Sequence, residues 1–403
     1  MTLGLVYHMP FWRDRDGRLR EIEGSFARYV DSLAPYFDEI VLCVPVLTET
    51  SGDGTLIRAR NVRLAPLRYF DGPAHFYPRL PAMVRGIVAF VRAVDVLHCR
   101  VPTPAAVFAV ACARLFGRPV FLLVVGDLRA LLPSMPYRGL KRLLWRSYTW
   151  FEERGIQWMV NRSLTFANGA ALASKHSRAG RPVVQTQTTT IDAESIAQRI
   201  DTMTGDAVRL FAVSRIDPRK GLRVLPGVVA ALAERGVAAT VDIVGPVVGA
   251  PGDAERAAIV AAAAARGVSD RVRLLGAVPL ERLLPLYADY DAFVLPTLPG
   301  EGVPRVLLEA MAAGLPIVTT PVAGIPSLVT HERNGLIVDE PSADAVASAI
   351  VRLVRDGALR RRLIQHGYES ARAHTLQAQA GQMMDAVSRR LGLTLRQPVV
   401  SVA

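Results

Sequence analysis

Two α/β domains, each built on a parallel sheet, are what the sequence predicts, and three features predict them. Short apolar runs alternate with longer helical patterns along the chain, as βα units require. This alternation pauses at a polar stretch, Gln185-Thr-Gln-Thr-Thr-Thr190, and restarts near Ala207. With 403 residues, 51% of them hydrophobic, the chain is long for one core and ample for two.

In the first series, residues 2–7, 39–45, 94–99 and 119–125 read as strands, with helical patterns over 25–33, 83–91 and 105–115. Residues 48–56 read as a surface loop. The second series has strand-like runs at 208–213, 239–244, 272–275, 292–295, 316–319 and 336–338, with helices over 222–235 and 254–266. A last helical pattern covers about 375–391. The expected domains are 1–190 and 205–372, followed by a closing helix over 373–391.

Composition narrows the function classes. No uninterrupted apolar run reaches the ~20 residues of a membrane span, and the first residues, Met1-Thr-Leu-Gly-Leu-Val-Tyr-His8, read as a buried strand instead of a signal peptide. Cys43, Cys99 and Cys112 are too few for a disulfide framework, and they lie in apolar strand or helix patterns. Reduced core cysteines and a cytoplasmic location are expected. The net charge is +12. Residues 1–200 hold 26 Lys+Arg against 16 Asp+Glu, a balance of +10, whereas 201–403 hold 22 against 20, a balance of +2. An anionic partner is therefore expected on the first half: an acidic acceptor, a lipid phosphate or a membrane surface. Three of the basic residues are lysines (Lys141, Lys175, Lys220), so part of the excess reflects arginine-rich coding.

The densest functional signal is Pro299-Gly-Glu-Gly-Val-Pro-Arg-Val-Leu-Leu-Glu-Ala-Met-Ala-Ala-Gly314. Glu301 lies in a Pro/Gly turn after the apolar run 291–296, and Glu309 lies in a helix that Pro304 opens and Gly314 closes. An anion at that helix start meets unpaired N–H groups and the positive end of the dipole. Two carboxylates flanking such a place suit a ligand with phosphate in the middle and hydroxyls at both ends, as in a sugar nucleotide.

Strand, turn, capped helix and the following Leu315-Pro-Ile-Val-Thr-Thr-Pro-Val-Ala-Gly324 together resemble the E-x7-E signature of retaining GT-B glycosyltransferases of family 4 (glycosyl transferases group 1). The resemblance is clearest over 205–370. It implies a GT-B fold, two Rossmann-like domains facing across a cleft, in which the first takes the acceptor and the second the donor. It also implies that the closing helix crosses back to the first domain, and that Thr190-Ile-Asp192 stands for the family's short interdomain motif.

Residue by residue, the resemblance gives Glu301 the hydroxyls of the transferred sugar and Glu309 the ribose hydroxyls. Backbone N–H groups of Gly302, Val303, Arg305 and Val306 would hold the distal phosphate. Many relatives have glycine where this chain has Pro304, which has no N–H to donate. In Val213-Ser-Arg-Ile-Asp-Pro-Arg-Lys-Gly-Leu222, Arg215 and Lys220 match the pair that binds the nucleotide diphosphate. Gly245 and Gly276 end the next two strands, where glycine allows close approach to the backbone. Ala277 and Val278 follow as candidates for recognising the base.

The first domain matches less closely. Gly24 is what remains of a Gly-Gly turn before a helix start able to approach the donor phosphate. Asp127 ends Val124-Val-Gly-Asp127 where many relatives carry histidine, and reads either as an active-site residue or as a helix N-cap. His98 is a weaker candidate. Asp14-Arg-Asp16 and Asp289-Tyr-Asp291 look like metal-binding triplets, but the first lacks supporting carboxylates and Asp291 suits a structural turn. No metal and no cofactor is expected. Residues 137–160 are basic and aromatic. At ~100° per residue Leu140, Leu143, Leu144, Trp150 and Phe151 share one face, with the basic residues opposite. Packing of the apolar face on the sheet is the first expectation; lying on an anionic membrane is the second.

The reading is a cytoplasmic or membrane-peripheral transferase moving a sugar from a nucleotide-diphosphate donor to a glycan or lipid-linked acceptor. A GT-B sugar-nucleotide epimerase is the nearest rival. A non-catalytic binder of anionic ligands is the rival from another class, though the chain has no motif for reading nucleic acid.

Overall fold

The computed structural model describes residues 1–22, 24–47, 54–70, 72–132, 138–196, 198–203, 207–298, 304–322 and 324–398. It contains two compact units, one of Met1–Thr188 with Gln379–Ala403, the other of Thr189–Ala378.

Unit 1 is built on seven parallel strands: β1 Thr2–Val6, β2 Glu39–Cys43, β3 Val62–Leu64, β4 Val96–Val101, β5 Val120–Val124, β6 Leu164–Asn168 and β7 Val184–Thr186. Their spatial order is β7-β6-β5-β4-β1-β2-β3. The order reverses between β1 and β4, the kind of switch point where open α/β sheets leave a crevice at their carboxyl ends. The strand foreseen over 94–99 begins at Val96, because Asp95 holds the start of β1: its N–H donates to the Thr2 carbonyl and its carboxylate accepts from the Thr2 N–H.

Helix α1 (Ser25–Leu33) buries Phe26, Ala27, Val30 and Leu33 on one face of this sheet, as its apolar spacing dictates. Helices α2 (Leu80–Arg92) and α3 (Pro104–Leu115) cover the other, joined by α4 (Gly139–Val160). A small second sheet pairs Thr55–Leu56, Leu19–Glu21, Phe11–Arg13, Pro45–Val46 and Leu67–Arg68. Its strands of two or three residues lack a readable period, as do β3 and β7. Residues 48–53 of the expected loop lie outside the described residues, and Thr55–Leu56 is a strand.

Unit 2 repeats the plan with six parallel strands: β8 Ala207–Val213, β9 Ala238–Val244, β10 Val272–Gly276, β11 Ala292–Leu295, β12 Ile317–Thr319 and β13 Leu336–Ile337, in the order β10-β9-β8-β11-β12-β13. Here the switch point falls between β8 and β11. Helices α5 (Leu225–Glu234), α6 (Gly249–Ala265), α7 (Leu280–Leu286), α8 (Arg305–Ala312), α9 (Ala343–Arg355) and α10 (Gly357–Ala373) complete it. The final helix, α11 (Leu376–Leu391), places Ala380, Met383, Met384 and Val387 in the core beside Phe26, Val30 and Phe37. That i, i+3, i+4, i+7 spacing makes one apolar stripe.

One expectation fails. The buried residues of α4 are Thr149, Glu152, Ile156, Met159 and Val160, while Leu140, Leu143, Leu144, Trp150 and Phe151 are exposed. The two sets lie about half a turn apart on the helix, so the apolar face at its start points away from the sheet. The second half anchors the helix, and its buried face fixes which way the first half looks. Among the described residues, no helix is long and apolar enough to cross a membrane.

Candidate functional site

In unit 2 the carboxyl ends of the strands are tied together by backbone. The Ser214 N–H donates to the Val244 carbonyl, Ile216 N–H to Pro246, and Gly245 N–H to Gly276, at 2.9, 2.9 and 2.8 Å. Gly245 has φ 150°, and a Cβ there would lie 1.8 Å from the Ser214 carbonyl oxygen. Only glycine permits β8 and β9 to end this close together.

The turn after β8 is organised by Asp217. Its carboxylate caps the single turn Pro218–Lys220 through the Arg219 N–H and grips the Arg219 guanidinium at 2.9 and 2.5 Å. That hydrogen-bonded pair holds the Asp217 carboxyl down at about 2. The chain then turns left-handed at Gly221 (φ 66°), where a Cβ would come within 2.0 Å of the Pro296 carbonyl oxygen. From the other side, the Arg219 carbonyl accepts from the Leu298 N–H (2.7 Å) and the Thr297 hydroxyl (3.1 Å). Thr320 in turn donates to the Thr297 carbonyl at 2.6 Å.

The Arg215–Lys220 turn and the segment that runs into 299–303 therefore form one hydrogen-bonded unit. Lys220 is buried, whereas Arg215 is exposed. Glu301, Gly302 and Val303 lie outside the described residues. Helix α8 opens at Pro304, which makes no side-chain cap, so the first N–H groups at Arg305 and Val306 have no acceptor within the helix.

Glu309 is 5% exposed, not a solvent-facing helix residue. One carboxylate oxygen accepts from the Thr190 hydroxyl at 2.5 Å and the other from the Tyr287 hydroxyl at 2.7 Å. An ionised carboxylate has about four acceptor positions, so two hydroxyl donors leave it able to accept two more. Tyr287 is fully buried against Phe211 and Phe293. Burial and the Glu309 charge push its hydroxyl far above the usual tyrosine range, so it stays a donor. Neither partner is visible from the sequence as one: Thr190 is 119 residues away and Tyr287 is 22. The one signal was the Thr190-Ile-Asp192 motif.

Beside the strand ends, Gly245, Gly276, Ile216 and Leu274 line an open cavity of about 590 Å³ together with Ala257 and Val260 of α6. Volumes of that order accept small ligands. Ala277 is exposed and Val278 packs toward the opposite face of the sheet, with the cluster of Phe211 and Tyr287.

The first-unit candidates are engaged differently. Gly24 takes the left-handed conformation (φ 80°) before α1. The Phe26 and Ala27 N–H groups of that helix donate to the Glu21 carboxylate, both at 3.2 Å, so the protein's own anion occupies the helix start. Asp127 behaves as an N-cap, accepting from the Arg129 and Ala130 N–H groups at 3.0 Å. Its other oxygen pairs with Lys175 at 2.8 Å. Burial opposes ionisation of Asp127, but Lys175 and the two N–H groups prevail and lower its pKa.

His98 is completely buried and stacked on Phe121. Its Nδ1 faces the Phe121 carbonyl (3.2 Å) and its Nε2 faces the Tyr29 hydroxyl (2.8 Å). Burial depresses its pKa to about 3, leaving a neutral structural imidazole. The aspartate triplets are structural too. Asp14 receives Arg18 and Arg20, and Asp291 receives Thr202 and Arg209.

Residues 207–356 match the family model described as Glycosyl transferases group 1. Over 151 residues the chain is 34% identical to the amylovoran biosynthesis glycosyltransferase AmsK of Erwinia amylovora, covering 36% of each protein. Over 158 residues it is 32% identical to a GDP-mannose-dependent alpha-(1-6)-phosphatidylinositol monomannoside mannosyltransferase of Mycobacterium tuberculosis, covering 38% of this chain and 40% of that one. The matched segment thus spans well under half the length of these relatives. The whole chain superposes on HepE of Anabaena, solved in complex with UDP and glucose, with a TM-score of 0.69 at 17% identity, over 96% of this chain and 99% of that one. The chain has the GT-B fold, and its group 1 glycosyltransferase match falls on the unit that carries Arg215, Lys220 and Glu309.

Proposed function

We propose that the protein is a retaining glycosyltransferase of family 4 that transfers a sugar from a nucleotide-diphosphate donor to a hydroxyl of a glycan or lipid-linked acceptor. The observation that carries the reading is the hydrogen-bonded junction of the Arg215–Lys220 turn with the segment entering 299–303, beside a buried Glu309 with acceptor capacity to spare. Cations, a helix start and a carboxylate in that order match a diphosphate followed by a ribose.

In this reading Arg215 and Lys220 neutralise the diphosphate, N–H groups of Gly302, Val303, Arg305 and Val306 hold its distal end, and Glu309 accepts from the ribose. Glu301 binds hydroxyls of the transferred sugar. The bond from the anomeric carbon to the phosphate oxygen breaks while the acceptor oxygen bonds to the same face. The acceptor proton passes to the departing phosphate. Electrostatic stabilisation of that leaving group supplies much of the rate. The base lies toward the Gly245 and Gly276 strand ends, near Ala277 and Val278.

The relatives support a place in polysaccharide or glycolipid assembly, since AmsK is an amylovoran biosynthesis glycosyltransferase and the mycobacterial protein a phosphatidylinositol monomannoside mannosyltransferase. A thermal-shift screen across UDP-, GDP- and ADP-sugars, followed by product analysis, tests the reading. Stabilisation by one donor class and a new glycoside of unchanged anomeric configuration are expected. Conversion of donor without acceptor would point to an epimerase, and no shift with any nucleotide would overturn the reading.

A further inference from the structure

We propose that Arg100 binds an acid group on the acceptor, a phosphate or a carboxylate, at the switch point of the unit 1 sheet. Strands β1 and β4 run side by side there, with Val6 opposite Cys99. The residues just after β1 and at the end of β4 therefore share one edge of the crevice that such a switch point leaves. Arg100 is the last but one residue of β4, and it points to the opposite face of the sheet from Cys99 and Val101. Its guanidinium carbon lies 4.7 Å from the centre of the Tyr7 ring, 5.1 Å from that of Phe26 and 4.8 Å from that of Tyr29.

Arg100 is only 7% exposed, yet its Nε and Nη1 have no hydrogen-bond partner among the described residues. No carboxylate among them forms an ion pair with it; Glu21, at the start of α1, accepts from the Phe26 and Ala27 N–H groups. Ring faces attract a cation but bring no counter-charge, and a cation drawn out of water without one is costly. Two more polar atoms on the same edge lack partners: His8 Nδ1, two residues after β1, and Thr103 Oγ1, two residues after β4. Thr103 is 1% exposed and stands at the N-cap of α3 without making a capping bond. Burial, and behind it the Arg100 charge, holds His8 down at about 4. Its imidazole is therefore neutral at pH 7 and able to accept from a hydroxyl.

An unpaired guanidinium beside neutral polar groups fits a ligand that carries an acid group among hydroxyls, a sugar phosphate or a sugar acid. A neutral sugar would leave the cation unpaired, and a metal ion would be repelled by it.

The dissociation constants of glucose 6-phosphate, glucuronate and glucose on the full chain, measured by ligand-observed NMR without donor, test this. Wild type should bind at least one of the acids ~10-fold or more tightly than glucose, as a hydrogen bond to a charged group implies. The acid preferred distinguishes phosphate from carboxylate. Arg100→Gln, with its folding checked by melting, should lose the preference for acid. Should that variant not fold, wild-type crystals soaked with the preferred acid should show its acid group at hydrogen-bond distance from the Arg100 guanidinium. Failure of both acids to bind, or binding no tighter than glucose, overturns the proposal. So does an acid group seated away from Arg100. A folded Arg100→Gln that keeps the preference overturns it too, because an acid held by Arg215 and Lys220 would behave that way. The inference rests on the transferase reading only in calling the ligand an acceptor. Failure of that reading shows separately, as absence of nucleotide binding, whether or not Arg100 takes an acid.

Discussion

The candidate site residues of the two units differ in how they are engaged. In unit 2 the carboxyl ends of the strands are held by backbone contacts that only glycine allows at Gly221 and Gly245, and the buried carboxylate of Glu309 retains acceptor capacity. In unit 1 the residues expected of the site satisfy one another or stack, whereas Arg100, near the end of β4, keeps Nε and Nη1 without a hydrogen-bond partner among the described residues. Glu21 occupies the start of α1, Asp127 is shared between its own helix and Lys175, and His98 lies between Phe121 and Tyr29. One architecture thus leaves acceptor capacity at the proposed nucleotide site of one half and engages the expected site residues of the other in structural contacts.

The largest effect expected from this contrast is on turnover. Replacing Arg215 and Lys220 together with alanine should slow transfer by about 100-fold or more, as removal of a leaving-group clamp does. Near-normal steady-state rates would erase the distinction between the halves. Next come the glycines. Gly221→Ala and Gly245→Ala drive a methyl group to within 2.0 and 1.8 Å of carbonyl oxygens. Each should cost about 2–4 kcal/mol in denaturant unfolding. Gly117→Ala in unit 1 has the same sign of φ (66°) but nothing within 4 Å of its Cβ, so it should cost about 1–2 kcal/mol. Equal losses would show that backbone conformation alone, not close approach, sets the requirement.

A pH effect separates the halves further. Burial pushes the Glu152 carboxyl up to about 7, against a partial lowering by Tyr148. The folded state therefore holds its proton more tightly than the unfolded chain. That contribution is complete below the unfolded value near 4.5 and is lost as pH rises through 7. Glu152→Gln should raise the melting temperature more at pH 8 than at pH 5, and equal shifts would place the carboxyl in a polar environment. The smallest effect belongs to Asp127→Asn. Loss of the Lys175 pair and weakening of the cap should cost about 1 kcal/mol of stability, with turnover within about twofold of wild type. A drop in turnover without loss of stability would return Asp127 to the active site.

Much of unit 2 was legible in the sequence, because its strands are apolar runs bounded by glycine or proline and its turns carry charges at fixed offsets. Arg215, Asp217, Lys220 and Gly221 are consecutive enough for a turn to be read directly. The partners of Glu309 were not, since hydroxyls brought together by tertiary folding leave no local pattern. Asp127 read equally well as site or cap, and the observed N–H donors show the cap. Capture of the α1 start by Glu21 left no mark beyond a glutamate four residues before the helix. For α4 the helical wheel gave both faces correctly but not which one looks inward. That choice was made by Ile156, Met159 and Val160, in the half of the helix the pattern did not weigh.

The central claim is that Glu309 belongs to a nucleotide site which unit 1 residues such as Asp127 do not share. Isothermal titration of UDP, GDP and ADP into wild type, Glu309→Ala and Asp127→Ala tests it most directly. One of the nucleotides should bind wild type and Asp127→Ala alike and bind Glu309→Ala more weakly by about 1.5–3 kcal/mol, the loss of a charged hydrogen bond. Equal binding to wild type and a folded Glu309→Ala, or no binding of any of the three to wild type, would contradict it.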